Sequence, residues 1–301
     1  MKKVRFIAFI AIIILSASCA YNNKFLRPAK YNSNTKRITI SKSAKDSTVA
    51  VYNGLPFKPT FLKNGVDTIE INYTIESVIF KNKAGVNLNG WMLKSKTIPA
   101  THTLLHFHGN TGSIVGQNAA IRPLLTQGFQ IFVFDYSGFG FSEGDATRKN
   151  LLTDGIDAVA YLKTREDVKN KKLILYGQSF GGHLSVCVAA KTQNDIDGLV
   201  VEGGFSNHKD LSAIGTKPFI AFMSRIFVKE IYAATKQIKA FKKPVLIIHS
   251  INDKVIPFAM GKKVFNKANA PKYFFEVKGE HLAATALYTK EIGNKIKLMS
   301  N

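Results

Sequence analysis

A chain of 301 residues with 46% hydrophobic content has enough apolar material for one large α/β domain or two small ones. Lys and Arg number 42 against 20 Asp and Glu, a formal charge of +22. Such a balance fits nucleic acid, an anionic membrane surface or a lysine-rich genome. The lysines are spread along the whole chain beside many asparagines, with no Arg-rich cluster and no aromatic nucleic-acid module, which argues against nucleic acid as a partner.

The chain opens as a targeting segment. Lys2, Lys3 and Arg5 precede a short apolar run, Phe6 to Leu15, and then Ser16-Ala17-Ser18-Cys19. The run is too short to span a bilayer comfortably. Small residues leading to a Cys resemble a bacterial lipoprotein signal, although Ser16 stands where such signals usually carry an apolar residue. The expectation is a leader over residues 1–18 and lipidation at Cys19. That implies a membrane-anchored lipoprotein of the bacterial cell envelope. Ordinary secretion with cleavage near Ala20, giving a secreted or periplasmic protein, is the alternative, as is a retained anchor. Losing the leader removes three positive charges and leaves the chain strongly basic. The only other cysteine, Cys187, then has no disulfide partner and reads as a small buried residue.

Residues 19–70 read as a tether and N-terminal extension. Tyr21 to about Thr48 is rich in Asn, Lys and Ser, the composition of a flexible tether, while Val49 to Thr68 gives no clear assignment. From residue 71 to 301 the pattern changes. Thr74 to Phe80 and Val86 to Leu93 form a hairpin about Asn82-Lys83-Ala84-Gly85, with Trp91 as a core residue. Apolar strands then alternate with helices. Strands are expected over Thr103 to Phe107, Gln130 to Phe134, Leu173 to Leu175, Gly198 to Val201, Val245 to Ile248 and Lys272 to Val277. Helices are expected over Gln117 to Thr126, Leu151 to Leu162, the stretch after Ser179, Phe258 to Asn269 and Leu282 to Leu298. That rhythm predicts parallel βαβ units with helices on both faces. Ligands then bind at the carboxyl ends of the strands, so the loops after Phe107, Phe134, Tyr176, Val201, Ile248 and Val277 are the places to look.

Three of those loops carry a consistent chemistry. After Tyr176 comes Gly177-Gln178-Ser179-Phe180-Gly181-Gly182, a Gly-x-Ser-x-Gly turn between a strand and a helix. Such a turn also arises by chance, so Ser179 depends on partners elsewhere. Asp253 follows the Val245 strand and His281 follows the Lys272 strand, which gives the order Ser, Asp, His. A serine hydroxyl is a weak nucleophile until an imidazole takes its proton and a carboxylate fixes that imidazole. Asp253 and His281 also have a plainer reading as helix caps. After Phe107, His108-Gly109-Asn110-Thr111-Gly112 suits an oxyanion loop, with the amide of Asn110 beside that of Phe180. His106 and His108 lack a third ligand, and no metal is expected. Gly138-x-Gly140 lacks the third glycine of a dinucleotide loop and reads as a structural wall. Glu202, just past its strand, is either a substrate-amine ligand or a structural contact.

These residues resemble the α/β-hydrolase superfamily from about Thr74 to the end. The match is carried by His108-Gly109-Asn110, Asp135-Tyr136-Ser137-Gly138-Phe139-Gly140, the Ser179 turn, Asp253 with Val255 and Pro257, and Gly279-Glu280-His281. Ser250 stands where that family often has Gly. The nearest subgroup is similar to serine aminopeptidases, monoglyceride lipases and membrane-associated depalmitoylases. The resemblance implies an α/β-hydrolase fold, with a mostly parallel central sheet, helices on both faces and a small lid over about 206–242. It also implies ester or thioester hydrolysis through an acyl-enzyme, without a cofactor. A peptidase or aminopeptidase-type amide hydrolase on the same triad is the first alternative, and a non-catalytic binding module the second. Expected partners are a small-molecule or lipid acyl substrate and, through the lipid anchor, a membrane surface. The lid has an apolar side (Phe219, Ile220, Phe222, Met223, Ile226, Phe227, Ile231) and a basic one (Lys217, Arg225, Lys229, Lys236, Lys239), which packing or contact with lipid explains.

Overall fold

The computed structural model describes residues 25–42 and 46–300. The leader and Cys19 lie outside the described residues. The central sheet has eight strands: β6 (Tyr73–Lys81), β7 (Asn87–Ser95), β8 (His102–Phe107), β10 (Phe129–Phe134), β11 (Lys172–Gln178), β12 (Gly198–Glu202), β13 (Val245–Ser250) and β14 (Lys272–Val277). Their order is β14-β13-β12-β11-β8-β10-β7-β6. The β6–β7 hairpin is antiparallel and joins β10 antiparallel, while the other neighbours pair parallel. β8, β10 and β13 are buried at every position, because helices or other strands cover both faces.

The helices are α1 (Ile114–Gln117), α2 (Arg148–Thr164), α3 (Glu166–Lys169), α4 (Phe180–Thr192), α5 (His208–Ser212), α6 (Pro218–Phe227), α7 (Ala234–Gln237), α8 (Phe258–Lys267), α9 (Ala284–Leu287) and α10 (Thr289–Ser300). From β8 the chain first crosses to β10 and only later returns to β11 on the other side of β8. The loops leaving β8 and β11 therefore diverge and open a crevice at the carboxyl edge, the place where such sheets hold ligands.

Two expected helices are broken. Gln117 to Thr126 is one α turn followed by 3-10 turns at Asn118–Ala120 and Arg122–Gln127. Asn118 turns its side-chain amide back on the Ile114 and Val115 carbonyls, and Pro123 supplies no amide for a continuing helix. The last helix splits at Tyr288 into α9 and α10.

The tether expected over Tyr21 to Thr48 is corrected for the residues described. Strands β2 (Arg37–Lys42), β3 (Ser47–Val51), β4 (Thr60–Lys63) and β5 (Asp67–Thr68) form a second, antiparallel sheet. Ile38, Ala50, Tyr52, Phe57 and Phe61 from this part share one core with Trp91, Leu104 and Ile131 of the main sheet. The Trp91 indole also donates to the Phe57 carbonyl at 3.1 Å. Two further short strands, β1 (Arg27–Pro28) and β9 (Thr111–Gly112), pair parallel. They dock the start of the described chain onto the loop after β8.

Candidate active site

Ser179 joins β11 to α4 with φ 55° and ψ −118°. A non-glycine residue rarely adopts that region, at a cost on the order of 1–3 kcal/mol, so the surroundings must impose it. A Cβ at Gly177 would overlap the Gly181 carbonyl and the Ser185 hydroxyl, and one at Gly181 would overlap the Phe107 and His108 carbonyls. The turn therefore tolerates nothing larger than glycine at either place. The Ser179 amide donates to the Glu202 carbonyl at 2.9 Å, which ties the turn to β12. Its side chain is only partly buried, and its hydroxyl bonds no described residue.

Asp253 and His281 meet across 28 positions of sequence. His281 Nδ1 lies 2.7 Å from Asp253 Oδ2, while Asp253 Oδ1 accepts from the Val255 and Ile256 amides at 2.8 Å each. Burial pushes the Asp253 carboxyl up, but the His281 ring and those amides outweigh it and hold it below its ordinary value. The carboxylate is thus anionic, locked in orientation and almost fully buried. The helix-cap reading of both residues gives way: α8 begins at Phe258 and Asp253 spends its oxygens on its own loop and on His281.

Gly203 lies between the His281 ring and the strand end that holds the Ser179 turn. It follows the Glu202 carbonyl that receives the Ser179 amide, and the His281 ring stands 3.1 Å from the place of a Gly203 Cβ. The residue's φ of 59° also favours glycine.

The amides of Phe180 and Asn110 donate to no partner among the described residues. Phe180 opens α4, whose first amides and positive dipole end point outward. The Asn110 loop is held from several sides. Gly109 donates to Gln117 Oε1 at 2.8 Å, and the Tyr136 hydroxyl donates to the His108 carbonyl at 3.0 Å. Asp135, wholly buried, accepts from the Ile114 amide at 2.8 Å and from Asn89 Nδ2 at 2.9 Å, which makes the loop after β10 a structural wall.

The side chains around the site form a connected frame that patterns in the sequence do not show. Glu202 Oε2 accepts from Tyr176, Gln178 and Thr285, and its Oε1 from the Ala284 and Thr285 amides. Burial pushes the Glu202 carboxyl up, and the bonds from Gln178, Thr285 and Tyr176 pull it back, leaving it raised. With both oxygens committed, Glu202 has none to offer a substrate amine and instead anchors the chain just after His281. Ser250 donates to the Gly279 carbonyl at 2.5 Å, tying the Asp253 loop to the His281 loop. His249 donates toward the Ile256 carbonyl at 2.9 Å, with its ring 3.6 Å from Asp253 Oδ2. Sequence reasoning missed His249 and the Gln178–Glu202 frame; the polar residues at the ends of otherwise apolar strands were the available signal.

His106 and His108 do not converge. His106 bonds Gln178 Oε1 at 2.9 Å, His108 bonds the Gly109 carbonyl at 2.8 Å, and burial drives them down to about 4 and about 3. Among the described residues one group, His183, His208 and Glu230, places ligand atoms within 4.8 Å of one another. The His183 nitrogens already face the Phe205 and Tyr232 carbonyls at 3.0 and 3.2 Å. Cys187 is buried, and burial raises its thiol far from reactivity.

The fold and these loops define a class. Residues 102–222 match a family model described as the alpha/beta hydrolase fold. The YfhR protein of Escherichia coli K12 is 31% identical over 218 residues, covering 70% of this chain and 75% of its own. The α/β-hydrolase domain-containing protein 17B of Homo sapiens is 32% identical over 174 residues, 57% of each chain. Among solved structures, the Pyrococcus furiosus esterase Pf2001 superposes with a TM-score of 0.63 at 18% identity, covering 76% of this chain and 92% of its own. Est1E of Butyrivibrio proteoclasticus, bound to ferulic acid, superposes with 0.61 at 19% identity, covering 74% and 98%. The chain belongs to the α/β-hydrolase family.

Proposed function

We propose that this hydrolase is a serine enzyme that cleaves carboxylic esters or thioesters through an acyl-enzyme. The observation that carries the reading is the strained Ser179 turn beside the 2.7 Å His281–Asp253 pair. His281 Nε2 takes the Ser179 proton as Oγ attacks the acyl carbon. Asp253 holds Nδ1–H and supports the imidazolium. The oxyanion forms between the amides of Phe180 and Asn110. Collapse expels the alcohol or thiol, which leaves with the proton from His281, and water then releases the acid by the same route. Esters are favoured over aminoacyl amides because Glu202 has no free oxygen for a substrate amine. The esterases among the structural neighbours agree with this. Hydrolysis of short acyl esters by the purified domain, lost in Ser179→Ala, tests the reading; faster turnover of aminoacyl amides than of esters would favour the peptidase alternative.

The setting we assign is an envelope membrane surface reached through lipid on Cys19. No helix among the described residues is long and apolar enough to cross a membrane. Six peptide steps separate Cys19 from Phe25, at most roughly 20 Å when extended. α6 exposes Phe219 (64%) and Phe222 (59%) beside Lys217 and Arg225, a combination suited to an anionic lipid surface.

A further inference from the structure

The start of the described chain lies on the machinery assigned above. Phe25 accepts from Asn110 Nδ2 at 2.6 Å through its carbonyl, and the Arg27 amide donates to the Asn110 carbonyl at 2.8 Å. The Ala29 amide donates to Gly112 at 2.9 Å, Gly140 donates back to Ala29 at 2.7 Å, and Tyr31 donates to Gly140 at 2.8 Å. Residues 25–31 thus form a strap that laces the loop after β8 to the loop after β10. It holds Asn110 by both its side chain and its carbonyl, leaving the amide of that residue unengaged.

The strap also contributes an aromatic side chain. The Phe25 ring meets Phe180 edge-on at 5.5 Å, Phe205 at 6.3 Å and His208 at 5.0 Å. Phe180 follows the nucleophile, Phe205 follows the β12 end on which Ser179 is tied, and His208 opens the first lid helix. Three separate elements around the Ser179 turn therefore converge on one side chain from a fourth. An aromatic residue at such a convergence buries a large apolar area and sets how tightly the residue after Ser179 is packed.

We infer that the strap is part of the active site: Phe25 is a specificity-determining wall that limits the acyl chain, and the Arg27 and Phe25 main chain positions the Asn110 amide. The inference rests on the proposed serine mechanism and extends it to residues no Gly-Ser-Gly turn announces. Truncating Phe25 opens space between Phe180, Phe205 and His208. Long acyl chains then gain relative to short ones. Removing the Arg27 amide frees the Asn110 peptide to rotate, which lowers kcat while KM changes little.

The test uses the full mature chain and p-nitrophenyl esters from acetate to palmitate. Phe25→Ala is expected to shift the kcat/KM ratio of the octanoyl to the acetyl ester at least about tenfold toward octanoyl, with Phe25→Leu intermediate. Arg27→Pro is expected to lower kcat about tenfold on every ester while leaving that ratio at the wild-type value. A merely structural Phe25 would lower all esters in proportion. An unchanged ratio in both Phe25 variants overturns the inference, and so does an Arg27→Pro enzyme with wild-type kcat. Should Phe25→Ala fail to fold, Phe25→Leu and Phe25→Trp decide, the latter expected to favour acetyl. Labelling by a fluorophosphonate, present in wild type and absent in Ser179→Ala, reports on the serine mechanism separately. Labelling with an unmoved chain-length profile sinks the strap alone.

Discussion

Asp253→Asn keeps size and shape and removes only the charge, so it probes the 2.7 Å contact with His281 directly. Oδ1 is fixed by the Val255 and Ile256 amides, so an asparagine in the native pose turns its NH2 toward His281 Nδ1. Nδ1 must then accept, Nε2 carries the proton, and no lone pair faces Ser179. A wrong tautomer of this kind costs on the order of 10⁴ in kcat. The flipped amide would restore an acceptor for His281 but would set NH2 against two backbone N–H groups. Leaving both unpaired costs about 1–3 kcal/mol each, so at most roughly one molecule in 30 is rescued. The expected fall in kcat/KM therefore lies between roughly 30-fold and roughly 10⁴-fold. The assay is p-nitrophenyl ester hydrolysis at mildly alkaline pH, beside a melting curve to show that the variant is folded. A folded variant with a loss under about threefold would refute the pairing as the source of activity, since less than about 0.7 kcal/mol would then separate the two tautomers in use.

Other outcomes follow from the same geometry. Gly203→Ala places a Cβ 3.1 Å from the His281 ring at a φ of 59°, so activity should fall at least about tenfold while stability drops by roughly 1–2 kcal/mol; wild-type turnover would contradict it. Burial pushes the Asp135 carboxyl up to about 6, so the folded state keeps a proton that the unfolded chain releases. Stability from this group is then lost as pH rises from about 4 to about 6, by up to roughly 3 kcal/mol, and denaturant melts should show wild type weakening relative to Asp135→Asn across that window. A stability difference that stays flat with pH would count against it. Cys19→Ser should move the protein from the membrane to the soluble fraction of the cells that make it, and unchanged membrane association would exclude the lipid anchor.

The parallel part of the sheet was legible because its inner strands are short unbroken apolar runs, and burial on both faces leaves them no other home. The loops that bear Ser179, Asp253 and His281 followed from that rhythm, since each is the first polar stretch after such a run. The second sheet was not legible. Its strands are short and interleaved with Ser and Thr, and only scattered positions such as Val49, Ala50 and Phe61 reach the core. Distance along the chain hid the strap: Phe25 and Asn110 stand 85 positions apart, and only the fold brings the Asn110 side-chain amide to the Phe25 carbonyl. The Glu202 frame was hidden for a like reason, as its donors Ala284 and Thr285 lie 82 and 83 positions away. The break in the first expected helix was visible in part, because Pro123 sits in its middle.

The identity of the nucleophile is the central claim, and mass spectrometry of the phosphonylated protein tests it most directly. Trypsin releases Leu173 to Lys191, a peptide that holds both Ser179 and Ser185. Fragmentation is expected to place the phosphonyl group on Ser179, with the adduct and ester hydrolysis both absent in Ser179→Ala. An adduct on another residue, or a Ser179→Ala protein that hydrolyses esters at the wild-type rate, would contradict the account.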